Sequence, residues 1–210
     1  MLRLMPVLHC VLLCWLLCAA DVKDTWEAGP PAFKTEQEEF QPSVRFEEKK
    51  VVLENRGILV SKKSFPEGAV FTATWRWISG EEQGKYQDHL CVVFATDGKQ
   101  RAWPAEIEAG LVVRFNPASG SVGIEKHEKG SKDNALLAFK DGLKFERNTG
   151  YKLRIVHSPK GVEVNVDGKK IVSAEVVMKG DKVAGYDREP VAGIKKKSEL
   201  EEPDVVPFKS

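Results

Sequence analysis

Two glutamates and an arginine lie close together in the segment EIEAGLVVRFN at residues 106–116. If this segment is one β-strand, its side chains alternate between two faces, and Glu106, Glu108 and Arg114 share one of them. Such a strip can hydrogen-bond sugar hydroxyls, and a desolvated carboxyl on it can donate a proton to a glycosidic oxygen. The simpler interpretation is a solvated face whose ion pair contributes less than about 1 kcal/mol. The pattern makes Glu106 and Glu108 candidate catalytic residues and Arg114 a candidate substrate-binding residue.

Three other side chains are candidates for substrate binding. Trp103 precedes a proline in a predicted loop, where its indole ring can stack on the apolar face of a sugar. Trp75 and Trp77 are expected in the core, which leaves Arg76 on the polar face of the same strand. His89 follows a polar loop and can exchange a proton near neutral pH, but the sequence assigns it no partner.

Short segments rich in β-branched and aromatic residues, separated by turn residues, recur from residue 51 onward. YKLRIV (151–156) and VEVNV (162–166) alternate apolar and polar residues, which is typical of antiparallel strands with one buried face. No segment has sustained helical periodicity, although DNALLAFKDGLKF (133–145) has room for one helical turn. The pattern predicts an all-β, two-sheet antiparallel sandwich. The residues expected between its sheets include Leu111, Val113, Phe115, Tyr151, Leu153, Ile155, Val162, Val164 and Val166.

The first 20 residues, MLRLMPVLHCVLLCWLLCAA, have the layout of a secretory signal. One positive residue, Arg3, precedes an apolar run from Val7 to Leu17 that is short for a membrane span, and two alanines end the segment. We expect cleavage before Asp21 and a secreted or periplasmic protein with no membrane attachment after cleavage. A retained N-terminal anchor is the alternative.

The rest of the chain is predicted to form a single domain with a lead-in. Residues 21–45 are polar and contain prolines, and we expect them to be extended and to dock through Trp26 or Phe40. Residues 46–210 are expected to form the β-sandwich with a charged C-terminal segment. The Lys- and Glu-rich run at 195–202 is expected to be solvated, and DVVPF after it is either a last strand or a loose tail.

The charge balance excludes one class of function. Lysine and arginine total 32, and aspartate and glutamate total 31, which gives a formal net charge of +1. A general nucleic-acid-binding protein normally has a basic excess or a basic stripe. We therefore expect no nucleic-acid partner, and the sequence does not determine the oligomeric state.

Cysteine and histidine usage predicts no metal site. Cys91 would be the one cysteine left after signal cleavage, so we expect no intramolecular disulfide and no cysteine-based metal site. The histidines lack metal-ligand spacing, and His127 and His157 are expected at the surface. Asp97 and Asp167 each precede a glycine and are expected in turns. The sequence thus predicts no metal and no cofactor, with a loop calcium ion left open.

Three segments together resemble a known superfamily: SFPEGAVFTATWRWI (64–78), EIEAGLVVRFN, and NTGYKLRIVHSPKGVEVNVDGKKIV (148–172). They are similar to the concanavalin A-like lectin/glucanase superfamily, where a strand, a tight turn, a strand ending in V-D-G and a further strand recur in laminin-G-like jelly rolls. Within this superfamily, the segments most resemble the 3-keto-disaccharide hydrolase domain, which is common in exported bacterial proteins. The resemblance implies a two-sheet jelly roll with a concave face suited to carbohydrate, and it implies no activity by itself.

The segment WPAEIEAGL (103–111) is also similar to the active-site strand of the laminarinase-type β-glucanases, where W-P precedes an E-x-D-x-x-E pattern. Glu106 matches the first glutamate, which is the nucleophile in that family, and Glu108 stands where the aspartate would be. Leu111 occupies the position of the last glutamate, the acid/base. Retaining glycoside cleavage needs two carboxyl groups in an acid-and-nucleophile arrangement, so we do not expect laminarinase chemistry.

Several functions remain open from the sequence. The leading hypothesis is an exported carbohydrate-binding or carbohydrate-active protein, with glycoside hydrolysis of the 3-keto-disaccharide type undecided. A non-catalytic laminin-G-like binding module is the alternative, and the incomplete carboxylate set favours it. A structural cell-envelope protein is the third hypothesis. A carbohydrate or glycoside is the expected partner in the first two.

Overall fold

The computed structural model describes eight stretches of the chain, which together contain one helical turn and fourteen β-strands. The described residues are 21–29, 42–55, 57–79, 90–96, 110–128, 135–176, 182–186 and 197–209. All strand pairings among them are antiparallel. The strands form two sheets of seven, here sheet A and sheet B, with the main hydrophobic core between them. The predicted all-β, two-sheet antiparallel sandwich is confirmed.

Sheet A contains a meander. Its strands, from one edge to the other, are β1 (Trp26–Ala28), β4 (Ile58–Ser61), β13 (Lys182–Tyr186), β6 (Leu90–Thr96), β7 (Gly110–Asn116), β8 (Ser121–His127) and β9 (Ala135–Lys140). The helical turn α1 (Val22–Thr25) leads into β1, whose Trp26 is buried in the main core. Strands β6 to β9 are consecutive both in sequence and in space.

Sheet B contains the longest strands. Its order is β12 (Lys169–Ala174), β11 (Gly161–Val166), β10 (Gly150–Ser158), β5 (Ala69–Ser79), β14 (Lys197–Pro207), β3 (Lys50–Glu54) and β2 (Ser43–Glu47). The C-terminal strand β14 lies between β5 and β3, so residues 204–207 of DVVPF belong to a strand and not to a loose tail. Asp167 and Gly168 both have positive φ (50° and 76°) in the turn between β11 and β12, as a two-residue hairpin turn requires.

The core confirms the predicted alternation. Leu111, Val113 and Phe115 are fully buried between the sheets, and of the other expected core residues only Tyr151 is half-buried. Trp75 on sheet B lies 5.6 Å, ring centre to ring centre, from Phe115 on sheet A, so aromatic contacts connect the two layers. Each buried side chain of this size contributes about 1.5–3 kcal/mol by leaving water.

Three expectations about polar and charged segments are wrong. His127 and His157 are each 1% exposed. His157 shares the inward face of β10 with Leu153 and Ile155, and its ring centre lies 5.5 Å from that of Phe94. The charged run at 195–202 is not simply solvated, since Glu199 in the middle of β14 is 8% exposed. Lys50, Arg76 and Lys197 lie within 4 Å of its carboxylate and compensate its charge.

The segment with room for a helical turn forms a strand instead. Residues 135–140 pair with β8 as the edge strand β9 of sheet A, so tertiary hydrogen bonding overrides the local spacing of apolar residues. Among the described residues, no helix has the length and apolar character needed to cross a bilayer.

Candidate functional site

The face of sheet A that points away from the core carries its own buried residues. Leu111, Val113 and Phe115 turn toward sheet B, and alternation turns Val112 and Arg114 outward. A second apolar cluster of Ile58, Cys91, Val93 and Val112 occupies this outer face, and each of the four is 3% exposed or less. The outer face of sheet A is therefore not an ordinary solvated surface.

Arg114, Glu125 and His127 form a polar cluster beside these apolar residues, which we call the Arg–Glu–His cluster. The register of β7 and β8 pairs Arg114 with Gly123 and Val112 with Glu125, so the two charged side chains meet diagonally. Arg114 Nη2 contacts Glu125 Oε2, and the same oxygen lies 3.3 Å from His127 Nε2.

The Arg–Glu–His cluster is shielded from water. The side chains of Arg114 and Glu125 are each 14% exposed, and that of His127 is 1% exposed. Charge-assisted hydrogen bonds between partly buried groups are stronger than those of solvated pairs, because the surrounding dielectric is lower. Arg114 and Glu125 thus present fixed donors and acceptors at the edge of the solvent, whereas His127 is buried.

Two exposed apolar side chains flank the cluster on β9. Phe139 is 55% exposed and Leu136 is 59% exposed. Residues three apart normally point to opposite faces of a strand, but the register of β8 and β9 shifts between Ile124 and Glu125 and brings both to the outer face. A Cβ atom placed on Gly123 would lie 3.7 Å from Leu136 Cδ1 and 3.7 Å from Phe139 Cδ2.

Gly123 separates the apolar and polar parts of this arrangement. Its partners across the two strand pairs are Arg114 on β7 and Phe139 on β9. A glycine in a strand interior often marks a place where another group approaches the backbone closely. Phe139, Leu136 and the Arg–Glu–His cluster together form what we call the sheet A site. Such a site suits a ligand that has one apolar face and a polar edge.

The structure places two of the six predicted site residues, and it does not bring them together. Arg114 belongs to the sheet A site. Arg76 lies on the outer face of sheet B, where its Nη1 atom is 2.7 Å from Glu201 Oε1. Because the core lies between the sheets, the two outer faces point in opposite directions, and Arg76 and Arg114 cannot contact one ligand. The other four predicted residues, Trp103, Glu106, Glu108 and His89, lie outside the described residues.

Sequence reasoning missed four residues of the sheet A site, namely Glu125, His127, Leu136 and Phe139. The alternation in SVGIEKHE places Glu125 and His127 opposite Val122 and Ile124, so this signal was present in the sequence. Phe139 had no such signal, because its placement depends on the strand pairing of β9 and on the register shift. Within the described stretches, no group of three or more His, Cys, Asp and Glu side chains is placed to hold a metal ion.

Comparison with solved structures identifies the fold. The carbohydrate binding module CBM66 from Bacillus subtilis matches with a TM-score of 0.58 at 11% identity, over 86% of this chain and 94% of that one. The carbohydrate recognition domain of Emp47p matches with a TM-score of 0.61 at 14% identity, over 88% and 89% of the two chains. The β-glucanase of Bacillus licheniformis matches with a TM-score of 0.56 at 10% identity, over 88% and 92%.

The chain has a concanavalin A-like jelly-roll fold. This confirms the jelly-roll fold that the strand and turn segments predicted. At identities this low, this chain and the matched structures share the fold alone. The function of this chain therefore has to be argued from its site. No protein-family model matches the sequence, and a search of curated proteins found no match.

Proposed function

We propose that the protein binds carbohydrate at the sheet A site. The observation that carries the proposal is the pairing of an exposed aromatic ring, Phe139, with the shielded Arg–Glu–His cluster across Gly123. Phe139 is the stacking platform in this proposal, and the cluster supplies the hydrogen bonds.

A sugar ring matches both halves of the site. One face of a pyranose exposes C–H groups, which lie against an aromatic ring, while the hydroxyls at its edge need donors and acceptors. Glu125 has a carboxylate that accepts hydrogen bonds from hydroxyls, and Arg114 has five N–H donors in a fixed fork. Because these groups already hold one another, little conformational freedom is lost when a ligand binds.

The fold supports this proposal without establishing it. CBM66 is named as a carbohydrate binding module and the matched part of Emp47p as a carbohydrate recognition domain. A structural cell-envelope protein with no small ligand would be expected to have flat, evenly charged faces. The uneven outer face of sheet A, with exposed apolar side chains next to a shielded ion pair, favours binding instead.

Binding without cleavage is the function that the described site supports best. On the described parts of β6 to β9, Glu125 is the one carboxylate on the outer face, and it is engaged by Arg114 and His127. Glycoside hydrolysis generally uses two carboxyl groups, one as an acid and one as a nucleophile or base. A laminin-G-like binding module therefore fits better than a hydrolase.

Hydrolysis of a glycoside, including the 3-keto-disaccharide type, is the second candidate. The observation in its favour is the outward direction of Arg114, because continued alternation from Arg114 would assign Glu106 and Glu108 to the same face. Trp103 would then serve at the rim of the site. In this version Glu106→Gln abolishes turnover and leaves sugar affinity and the melting temperature nearly unchanged.

The experiment is a glycan-array and glycosidase screen, including 3-keto-glucosides, on the protein that begins at Asp21. Binding of a defined glycan class without turnover supports the binding module. Turnover that disappears in Glu106→Gln supports the hydrolase. If the protein retains no glycan and cleaves none, the proposed function is wrong.

A further inference from the structure

A cavity of about 510 Å³ opens on the outer face of sheet B, on the opposite side of the sandwich from the sheet A site. It lies over strands β10, β11 and β12, close to the hairpin that joins β10 to β11. Its lining includes Arg154, Val156, Ser158, Lys160, Lys170 and Ser173. Ligand pockets commonly fall between about 300 and 1,000 Å³, so this cavity is large enough for a small molecule or a unit of a chain. We call it the sheet B pocket.

The sheet B pocket has more cationic than anionic side chains, and only some of the cationic side chains form ion pairs. Three cationic residues, Arg154, Lys160 and Lys170, line it together with two carboxylates, Glu163 and Glu175, which leaves a net charge of one positive unit. Lys170 Nζ lies 3.2 Å from Glu163 Oε2, so these two charges compensate each other. Within the described part of the chain, no carboxylate oxygen lies within 4 Å of the Arg154 guanidinium or the Lys160 ammonium group.

Asn165 and Lys170 hold the Glu163 carboxylate at the wall of the pocket, and Arg154 lies beyond 4 Å from it. Asn165 Nδ2 donates a hydrogen bond of 2.9 Å to Glu163 Oε1, and Lys170 contacts the other carboxylate oxygen. These two hydrogen bonds lower the pKa of Glu163 from its ordinary value. The carboxylate therefore stays ionised and fixes Lys170 at the wall of the pocket, and the Coulombic attraction of Arg154 is the smallest of the causes that lower its pKa.

The rim of the sheet B pocket is rigid. In the hairpin, Lys160 N donates to Ser158 Oγ at 3.2 Å, and Ser158 Oγ donates to Gly161 O at 3.3 Å. Gly161 has a φ of 139°, and a Cβ atom there would lie 2.1 Å from Ala174 O, so the hairpin backbone packs directly against the end of β12. The backbone of this hairpin therefore needs little reordering when a ligand binds.

We propose that the sheet B pocket binds an oxyanion group, such as a carboxylate, sulfate or phosphate, through the Arg154 guanidinium with support from Lys160. The planar fork of arginine donates two parallel hydrogen bonds to such groups. The pocket extends well beyond one oxyanion, so the group is carried on a larger molecule, and an acidic saccharide is the source that we favour. The sheet B pocket faces away from the sheet A site and is independent of it.

The test compares two arginine variants on the same sheet face. Arg154→Gln removes one positive charge at the pocket, and Arg45→Gln removes the same charge from the exposed outer face of β2 at the other edge of sheet B. Both side chains are exposed, so both variants should fold, which their melting temperatures check. The probes are sodium sulfate, a sulfated oligosaccharide, and the unsulfated oligosaccharide of the same length, titrated against the full chain by calorimetry.

We expect the sulfated oligosaccharide to lose at least about tenfold in affinity in Arg154→Gln and less than about twofold in Arg45→Gln. Binding of the sulfated oligosaccharide alone identifies an acidic saccharide as the ligand, and equal binding of sodium sulfate identifies the oxyanion itself. Equal losses in both variants, or no binding of either anionic probe, would overturn the proposal. Phe139→Ala does not alter the pocket, so failure here and failure of the sheet A site are distinguishable.

Discussion

At the scale of single residues, exposure separates two kinds of ion pair in this protein. Arg45 and Glu54 on sheet B have side-chain exposures of 54% and 26%, and pairs of this kind contribute at most about 1 kcal/mol. Arg114 and Glu125 are each 14% exposed, and removing one partner from such a pair leaves a poorly solvated charge. Shielding alone does not mark a ligand site, because Glu199 on sheet B is shielded to a similar degree. The exposed Phe139 ring near Arg114 and Glu125 is what connects this pair with ligand binding in the proposal.

The pH dependence of stability that we expect from a single residue is that of Glu163. Its pKa is lowered in the folded protein by the hydrogen bonds from Asn165 and Lys170, so its contribution to stability is present above its unfolded value of about 4.5 and is lost as the pH falls below it. We expect Glu163→Gln to reduce the loss of stability between pH 7 and pH 3. The effect should stay under about 1 kcal/mol, because the side chain is 41% exposed.

Denaturant unfolding at the two pH values measures the Glu163 effect. Glu175→Gln is the matched control, because it removes a neighbouring exposed carboxylate that has no hydrogen-bond or ion-pair partner in the described structure. If Glu163→Gln and Glu175→Gln change the pH dependence equally, the hydrogen bonds to Glu163 have no role in it.

Some site residues were predictable from the sequence one by one, and others were not. Arg114 was found because a period-two pattern fixes the face of every residue in its strand. Glu125 and His127 follow the same rule, but His127 was assigned to the surface, since sequence alone does not show what covers a strand end. Phe139 depends on a register shift between two strands, and single-strand periodicity carries no information about that shift.

At the scale of elements, the strongest prediction concerns the contact between the two sheets. Phe115 on β7 is fully buried, and its ring lies 5.6 Å from that of Trp75 on β5. We expect Phe115→Ala to cost about 3–5 kcal/mol in the free energy of unfolding, through lost burial and the cavity that remains. Leu136→Ala on the exposed side of β9 is the control, and its effect should stay within about 0.5 kcal/mol.

Urea denaturation of the two variants measures both free energies of unfolding. Similar costs for Phe115→Ala and Leu136→Ala would mean that the sheets do not pack as described.

Some strands can be recognised from their own sequence, whereas others form because of the strands that pair with them. Strands such as β5, β10 and β11 alternate strongly enough to be recognised alone, and the V-D-G turn between β11 and β12 has the residues that positive φ requires. β14 begins with a run of charges that resembles a solvated segment. It is a central strand because Lys50 and Arg76 on its neighbours compensate Glu199.

At the scale of the whole molecule, the two outer faces have different character. The outer face of sheet A combines a buried apolar cluster, a shielded ion pair and exposed apolar side chains. On sheet B, Arg45, Lys50 and Arg76 each pair with glutamates, one of which is the buried Glu199, and the pocket lies at the β12 edge. The fold thus offers two independent surfaces, and among the described residues the exposed aromatic ring lies on that of sheet A.

For the whole molecule, we predict that the protein is exported from the cytoplasm. The first 20 residues are proposed to be a signal that is removed, because a short apolar run follows one positive residue and ends in two alanines. N-terminal sequencing of material recovered outside the cytoplasm should begin at Asp21 or close to it. An uncleaved product that stays in the membrane fraction would show that the segment is an anchor.

The central claim is that a sugar stacks on Phe139 at the sheet A site. The most direct measurement is the affinity of the glycan found in the screen for the wild type, Phe139→Ala and Val206→Ala, where Val206 is a similarly exposed apolar residue on the outer face of sheet B. We predict a loss of about tenfold or more for Phe139→Ala, which corresponds to about 1.4 kcal/mol, and a change below about twofold for Val206→Ala. Equal affinities for the two variants would contradict the assignment of the site.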